Sequence, residues 1–357
     1  GAVMLCYAEI GSKITTSGGT YAYIVAAFGA FPGFIINWLL FFGWSMLSGA
    51  ALMNIIADSM AVVFPVFLNP WARAILYFIL MGILVWINVR STKQGVSFIK
   101  WMTIIKLLPL AGIIIFGFAY FDSANFHWEN LPSVTSYGNT VLILFFAFAG
   151  FESALSASGE IKNPKRTIPS GLLLGGAILL VFYLLLQIIA QGVLGAQMEN
   201  FKEAPLAAVA QKIVGPVGGT IILFAAAFSC FTSNSSDLFT TPRILFAGAK
   251  DGLFPKVLGK VHPKFATPYI AIIIYAALIF IFSVAGGFEK LAILASASIL
   301  IIYLAVILAT LKLRRIKQVN AEKTFRVPGG LIIPFIGMAS IVWLLTNLGK
   351  WEILSVI

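Results

Sequence analysis

The stretch IPSGLLLGGAILLVFYLLLQIIA, residues 168–190, contains no charged side chain. A helix of about 20 mainly apolar residues is long enough to cross the hydrocarbon core of a bilayer. Outward from this stretch the chain has further runs of the same kind, long and continuous rather than short and alternating as in a membrane β-barrel. The sequence therefore predicts an all-α polytopic membrane protein with nine complete spans, at residues 34–64, 74–89, 97–121, 139–159, 168–190, 213–242, 266–287, 290–311 and 328–348.

The composition of the whole chain agrees with burial in lipid. Of its 357 residues, 60% are hydrophobic and 10% are charged, and the mean hydropathy is +0.98. A chain of this kind exposes too little polar surface for a water-soluble domain. Residues 1–10 are apolar and read as the end of one more helix, so we expect a single transmembrane domain over residues 1–357 that is incomplete at both ends.

The net charge of +11 is explained by membrane topology and does not indicate nucleic-acid binding, because the basic residues cluster in the loops between apolar runs. Loops rich in Lys and Arg alternate along the chain with loops that have few. We expect the basic loops on the cytoplasmic side, and residues 122–138 and 191–212 on the outer side. The expected location is a plasma membrane or a bacterial inner membrane.

Cysteine and histidine residues give no pattern of a metal site or a disulfide. Cys6 and Cys230 stand in apolar sequence, where packing is their expected role. His127 and His262 lie in separate loops, and neither is assigned to a metal. The sequence also lacks the nucleophile, metal and nucleotide motifs of enzymes. We therefore expect no cofactor, no metal and no enzymatic activity.

Lys106 is the most unusual ionisable residue inside a predicted span, in the stretch TIIKLLPLAGIIIFG, residues 103–117. Charged groups at membrane depth are costly unless they face a cavity or a partner, which makes them candidates for function. One interpretation is a lysine whose amine reaches the inner interface. Pro109 favours the other, an irregular environment that faces protein, because it leaves a backbone carbonyl nearby without its helical donor.

A second candidate lies in FFAFAGFESALSASGE, residues 145–160, where an apolar span becomes small and polar. Glycine, alanine and serine at these positions weaken the helix and allow it to unwind, which exposes backbone groups able to hold a charged small molecule. The alternative is a packing face of small residues. For Glu152 the alternative is a structural carboxylate that pairs with a neighbouring helix.

A third candidate is the polar run at residues 232–237, TSNSSD, which predicts either the lining of a water-filled path or the approach to the inner interface. Asp58 is expected near the outer headgroups. The sequence GGTY, residues 18–21, is expected in a cytoplasmic turn.

Three stretches carry a resemblance to a known family: residues 7–24, YAEIGSKITTSGGTYAYI; residues 145–169, FFAFAGFESALSASGEIKNPKRTIP; and residues 229–268, which begin SCFTSNSSDLFTTPRILFAG. They resemble the amino acid-polyamine-organocation superfamily, especially its L-type amino acid transporter branch. The resemblance implies the inverted-repeat fold of the leucine-transporter type, with two interlocked five-helix units and broken first and sixth helices. On this mapping the chain runs from late in helix two to the end of helix eleven.

The resemblance also implies roles for individual residues. It makes Phe146 the aromatic gate over the substrate, and it places Phe148, Ala149 and Gly150 in an unwound segment whose carbonyls receive the substrate's amino group. Glu152 matches a carboxylate just inside the site. Lys106 matches a lysine that takes the place of the sodium ion found in sodium-coupled members, with Ser233 as its partner. Ser45 and Asp237 match positions that line the pocket.

The function implied is secondary active transport of amino acids or related amines by alternating access, as an exchanger or a proton-coupled permease. The alternative from another class is a membrane sensor or assembly subunit that keeps the fold and does not transport. Heteromeric members use a cysteine in the outer loop between helices three and four. Residues 64–73, FPVFLNPWAR, contain none, so no disulfide-linked subunit is expected.

Overall fold

The structure, a computed structural model, describes residues 1–16, 18–90, 96–126, 134–202, 204–250, 254–315 and 324–348. Within these ranges the chain is helical and contains no β-strand. A π-helix, Leu39–Ser45, joins α3 to α4, and short 3-10 segments lie between other helices. The α-helices are α1 (Ala2–Lys13), α2 (Gly19–Phe28), α3 (Ala30–Trp38), α4 (Met46–Val63), α5 (Pro70–Arg90), α6 (Val96–Gly117), α7 (Val134–Phe148), α8 (Pro164–Leu194), α9 (Pro205–Val214), α10 (Pro216–Thr240), α11 (Pro242–Lys250), α12 (Tyr269–Ala285), α13 (Phe288–Arg315) and α14 (Ile332–Thr346).

Six helical segments in the described ranges are long and apolar enough to cross a membrane, by length and composition. They are Ala30–Val63, Pro70–Arg90, Trp101–Tyr120, Pro164–Phe201, Pro216–Lys250 and Phe288–Arg315. Three predicted spans coincide with shorter apolar helical segments, Thr140–Ser156, Tyr269–Ala285 and Ile332–Thr346. The described residues are therefore all-helical and include helices suited to a polytopic membrane protein, and the count of nine spans stays a prediction.

The expected turn at residues 18–21 is wrong for all but its first residue, because Gly19 already begins α2. Gly18 and Gly19 have φ of 120° and 50°, which glycine adopts without a Cβ clash. A Cβ on Gly19 would lie 3.1 Å from the backbone nitrogen of Ser156. The glycine pair thus lets the start of α2 approach the segment that follows α7.

The chain divides into two compact units, of which the first comprises Gly1–Trp44, Pro132–Val181 and Ala292–Ile357. Its described core is aromatic and nearly solvent-free, with Tyr7, Tyr23 and Tyr303 at most 1% exposed. The ring of Tyr7 meets that of Tyr303 edge to face at 5.5 Å, and its hydroxyl lies 3.1 Å from that of Thr20. These contacts join α1, α2 and α13 around the segment after α7.

The second unit comprises Ser45–Leu131 and Phe182–Leu291, and within it α10 packs on α4, α9 and α6. Gly49 on α4 permits close packing with α10 and α12, since a Cβ there would meet Ile279 and the side-chain oxygen of Asn234 at about 3 Å. Asn54 joins α4 to the end of α12, because its amide donates to the carbonyls of Ser283 and Gly286. Arg73 forms an ion pair of 2.7 Å with Asp58.

Candidate functional site

The first unit contains a break in an apolar helical segment, at the position where the sequence turns small and polar. α7 ends at Phe148, and a 3-10 segment begins at Phe151. Gly150 between them has φ of 104°, in the left-handed region that a side chain disfavours. The resemblance included Phe148 in the unwound part, whereas the structure keeps Phe148 as the last helical residue.

The two backbone carbonyls at the break, those of Ala149 and Gly150, differ in their hydrogen bonds. The Gly150 carbonyl accepts from both the backbone nitrogen and the hydroxyl of Ser153, at 3.2 and 2.7 Å. The Ala149 nitrogen donates back to Phe145 and Phe146. In the part of the chain that the structure describes, no donor is found for the Ala149 carbonyl oxygen. This oxygen can therefore accept a hydrogen bond from a bound molecule.

Glu152 lies directly behind the break and is 3% exposed. Its Oε2 accepts from the Tyr303 hydroxyl at 2.6 Å and from the Gly150 nitrogen at 3.0 Å. Both donors are neutral groups. A buried carboxylate held by neutral donors can carry either a charge or a proton, in contrast to one paired with a cation.

An aromatic group surrounds this network. Phe151 contacts Tyr7 at 5.3 Å and Tyr303 at 5.5 Å between ring centroids. On the preceding turns of α7, the ring of Phe146 lies 5.7 Å from that of Trp44. Phe146 is thus held next to another large aromatic side chain, and its predicted role as a gate stays a prediction.

The second unit brings two of its predicted residues together. Lys106, on α6, donates from Nζ to the Ser233 hydroxyl of α10 at 3.2 Å. The Ser233 hydroxyl in turn donates to the Ser229 carbonyl at 3.0 Å. Asp237 lies one turn further along α10, where its carboxylate interacts electrostatically with the Lys106 ammonium group. The amine of Lys106 therefore contacts a polar group of its own unit.

Ser45 is the last residue of the π-helix, where its carbonyl accepts from the Ser48 hydroxyl at 3.2 Å. The predicted roles of Ser45 and Asp237 as pocket-lining residues stay predictions.

The ion pair between Asp58 and Arg73 gives Asp58 a structural partner. Cys6 and Cys230 are buried and free, as apolar packing requires. His127 lies outside the described residues. Among the residues that the structure describes, no group of three or more potential metal ligands occurs.

Sequence reasoning missed a second buried carboxylate in the first unit, that of Glu9. Arg314 donates to both its oxygens, at 2.8 and 2.5 Å, and Lys13 donates to Oε1 at 2.8 Å. The backbone nitrogen of Val327 adds a bond of 2.9 Å to Oε2. The spacing of Glu9 and Lys13, four residues apart on a helix, is the local signal for part of this cluster.

Sequence reasoning also missed Tyr303. The residue stands in the uniformly apolar run of α13, where nothing local distinguishes it from a packing residue. Its role depends on Glu152, which is 151 positions away in the sequence.

Apolar helices of membrane length that carry ionisable groups and a break near mid-helix are typical of polytopic membrane transport proteins. The family model described as amino acid permease matches residues 1–348, and the chain belongs to this family. It is a multi-pass integral protein of the cell membrane and a secondary transporter of amino acids.

Three relatives illustrate the match. The chain is 30% identical to the serine/threonine exchanger SteT of Bacillus subtilis, over 94% of this chain and 77% of that protein. It is 27% identical to the branched-chain amino acid permease BcaP of the same organism, over 97% of this chain and 77% of BcaP. It is 26% identical to the b(0,+)-type amino acid transporter 1 of Rattus norvegicus, over 96% of this chain and 71% of the relative. These names describe transporters and permeases, and none of the three describes a sensor or an enzyme.

Proposed function

We propose that the break after α7 binds the α-amino group of an amino acid during alternating-access transport. The observation that carries the proposal is the left-handed Gly150, which ends the helix and leaves the Ala149 carbonyl oxygen without a donor among the described residues. An ammonium group requires such acceptors, and a broken membrane helix is where transporters supply them. Phe148 ends the helix at this place, and Phe146 would cover the bound substrate as a gate. The inverted-repeat fold with nine complete spans and a partial one belongs to the same proposal.

The substrate class proposed is that of amino acids with an uncharged side chain. A cationic side chain would need a carboxylate free to pair with it. Glu152 already accepts from Tyr303 and Gly150, and Asp237 lies within Coulombic range of Lys106. The names of SteT and BcaP refer to serine, threonine and branched-chain amino acids, which are uncharged in their side chains.

Lys106 is proposed as the coupling residue of the second unit. Its ammonium group, bonded to Ser233, supplies a positive charge inside the membrane without a bound metal ion. Ser233 orients the amine, and Glu152 is the candidate proton carrier of the first unit. Transport would then proceed as exchange or with a proton, and one assay separates the two.

The test is uptake of labelled serine, leucine, lysine and glutamate into proteoliposomes, with and without internal amino acid or a pH gradient. Uptake of serine or leucine is expected. Stimulation by internal amino acid indicates exchange, and stimulation by the pH gradient indicates proton coupling. Lys106→Ala is expected to lower uptake by at least about tenfold, since a hydrogen bond to a charged group contributes roughly 1.5–3 kcal/mol.

The matched control is Lys202→Ala, which removes an exposed lysine from the same unit and should leave uptake unchanged. Preferred uptake of lysine would refute the proposed substrate class. Wild-type rates in Lys106→Ala would refute the coupling role. No uptake of any amino acid by folded, inserted protein would refute the proposed binding role of the break.

A further inference from the structure

The segment after α10 carries a lysine-rich surface that has no part in the proposed transport site. It contains α11, a 3-10 turn at Lys256–Gly259 and the start of α12. Four exposed lysines lie along it, and we call them the basic face: Lys250, Lys256, Lys260 and Lys264. Residues 242–268 contain one acidic residue, Asp251, so the surface is strongly cationic.

The basic face stands on a folded support. The Phe254 nitrogen donates to the Gly248 carbonyl at 3.3 Å, and Leu258 is 8% exposed. The His262 nitrogen donates to the Thr267 carbonyl at 2.8 Å, and the Thr267 hydroxyl donates to Val89 at the end of α5. The lysines are therefore presented by a fixed surface of the second unit.

Apolar side chains are exposed between the lysines. Val257 and Val261 are 43% and 42% exposed, and each stands next to a lysine of the basic face. In α11 the ring of Phe246 lies 5.2 Å below the Lys250 amine. The general rule that cytoplasmic loops are basic accounts for charge alone, and it does not require exposed valines beside the charges.

A surface that combines lysines with exposed apolar groups, next to a membrane helix on the basic side of the protein, complements the headgroup region of an anionic leaflet. Phosphate groups would meet the lysine amines, and the valines would enter the boundary with the acyl chains. We propose that the basic face binds anionic phospholipid headgroups of the cytoplasmic leaflet. α11 begins two residues after α10, so this contact would hold the end of the helix that carries Ser233 and Asp237.

The test compares retention of phosphatidylglycerol and phosphatidylcholine by the purified full chain, with native mass spectrometry as the readout. Preferential retention of phosphatidylglycerol is expected, and it should decrease as salt is raised. Each lysine near an anionic surface contributes roughly a fivefold change in affinity. The double variant Lys256→Gln with Lys260→Gln should therefore weaken binding of phosphatidylglycerol by roughly 25-fold and leave binding of phosphatidylcholine unchanged.

The matched control is Lys162→Gln with Arg166→Gln, which removes the same charge from exposed residues around the start of α8. Unchanged binding in this control, with weakened binding in the first variant, supports the basic face. Equal losses in both variants would assign the effect to overall charge and overturn the proposal. Equal retention of the two lipids by the wild-type protein would overturn it as well. Because lipid retention is measured without transport, failure here leaves the proposed transport site untouched.

Discussion

Two buried carboxylates of the first unit, Glu9 and Glu152, differ in what surrounds them. Glu9 accepts from two cations, Arg314 and Lys13, and from a backbone nitrogen. Glu152 accepts from a tyrosine hydroxyl and a backbone nitrogen, both neutral. A carboxylate fixed by cations serves to hold helices together, whereas one held by neutral groups can change its charge. The comparison therefore separates a structural acid from a candidate functional acid.

The largest expected effect follows from Glu9→Gln. The amide cannot balance the charge of Arg314, whose side chain is 9% exposed. Breaking a buried ion pair by removing one partner costs about 3–5 kcal/mol of folding free energy. We expect a marked decrease in the midpoint of thermal unfolding in detergent, or loss of folded protein.

Lys13→Gln is the control for this change, because Lys13 is partly exposed and Arg314 keeps its partner. It should cost at most about 1 kcal/mol. Equal losses in the two variants would contradict the assignment of the Arg314 pair as the main contribution.

Parts of both sites follow from local sequence, and parts do not. Polarity inside an apolar run is a local property, so Lys106 and Glu152 stand out without any structure. The end of α7 is local as well, because Gly150 is the residue that accepts a left-handed conformation at little cost. The resemblance added Ser233 as the partner of Lys106, and the Lys106 Nζ lies 3.2 Å from the Ser233 Oγ.

The partners of the two carboxylates depend on tertiary packing instead. Glu9 meets Arg314 across 305 positions of sequence, and Glu152 meets Tyr303 across 151. Near the end of an apolar helix, a glutamate with a lysine four residues later has the pattern of a solvated surface pair. The burial of Glu9 arises only when α13 and the chain at Val327 pack against it, which no local pattern encodes.

An intermediate effect is expected for Gly150→Ala, which tests whether the backbone at the break orients Glu152. No atom lies within 4 Å of the added Cβ, so the cost arises from the left-handed conformation, about 1–2 kcal/mol. The bond from the Gly150 nitrogen to Glu152 would be displaced together with the Ala149 carbonyl. We expect a modest loss of thermal stability and a strong loss of amino acid uptake.

Gly171→Ala is the matched control, since Gly171 also has open space around its Cβ but lies inside α8. There alanine should stabilise the protein by about 0.5–1 kcal/mol and leave uptake intact. Normal uptake in Gly150→Ala would remove the break from the proposed binding site.

The smallest effect on stability is expected for Glu152→Gln, the same chemical change as at Glu9. The amide keeps the shape of the side chain and an oxygen that accepts from Tyr303 and Gly150, and it leaves no cation without a partner among the described residues. The free energy of unfolding should therefore change by no more than about 1 kcal/mol.

The side chain of Glu152→Gln can no longer exchange a proton, so any stimulation of uptake by a pH gradient should disappear while exchange persists. A loss of stability as large as that of Glu9→Gln would show that Glu152 carries a charge balanced by its surroundings. The two carboxylates would then be of one structural kind, and the proton-carrier role would pass to another group.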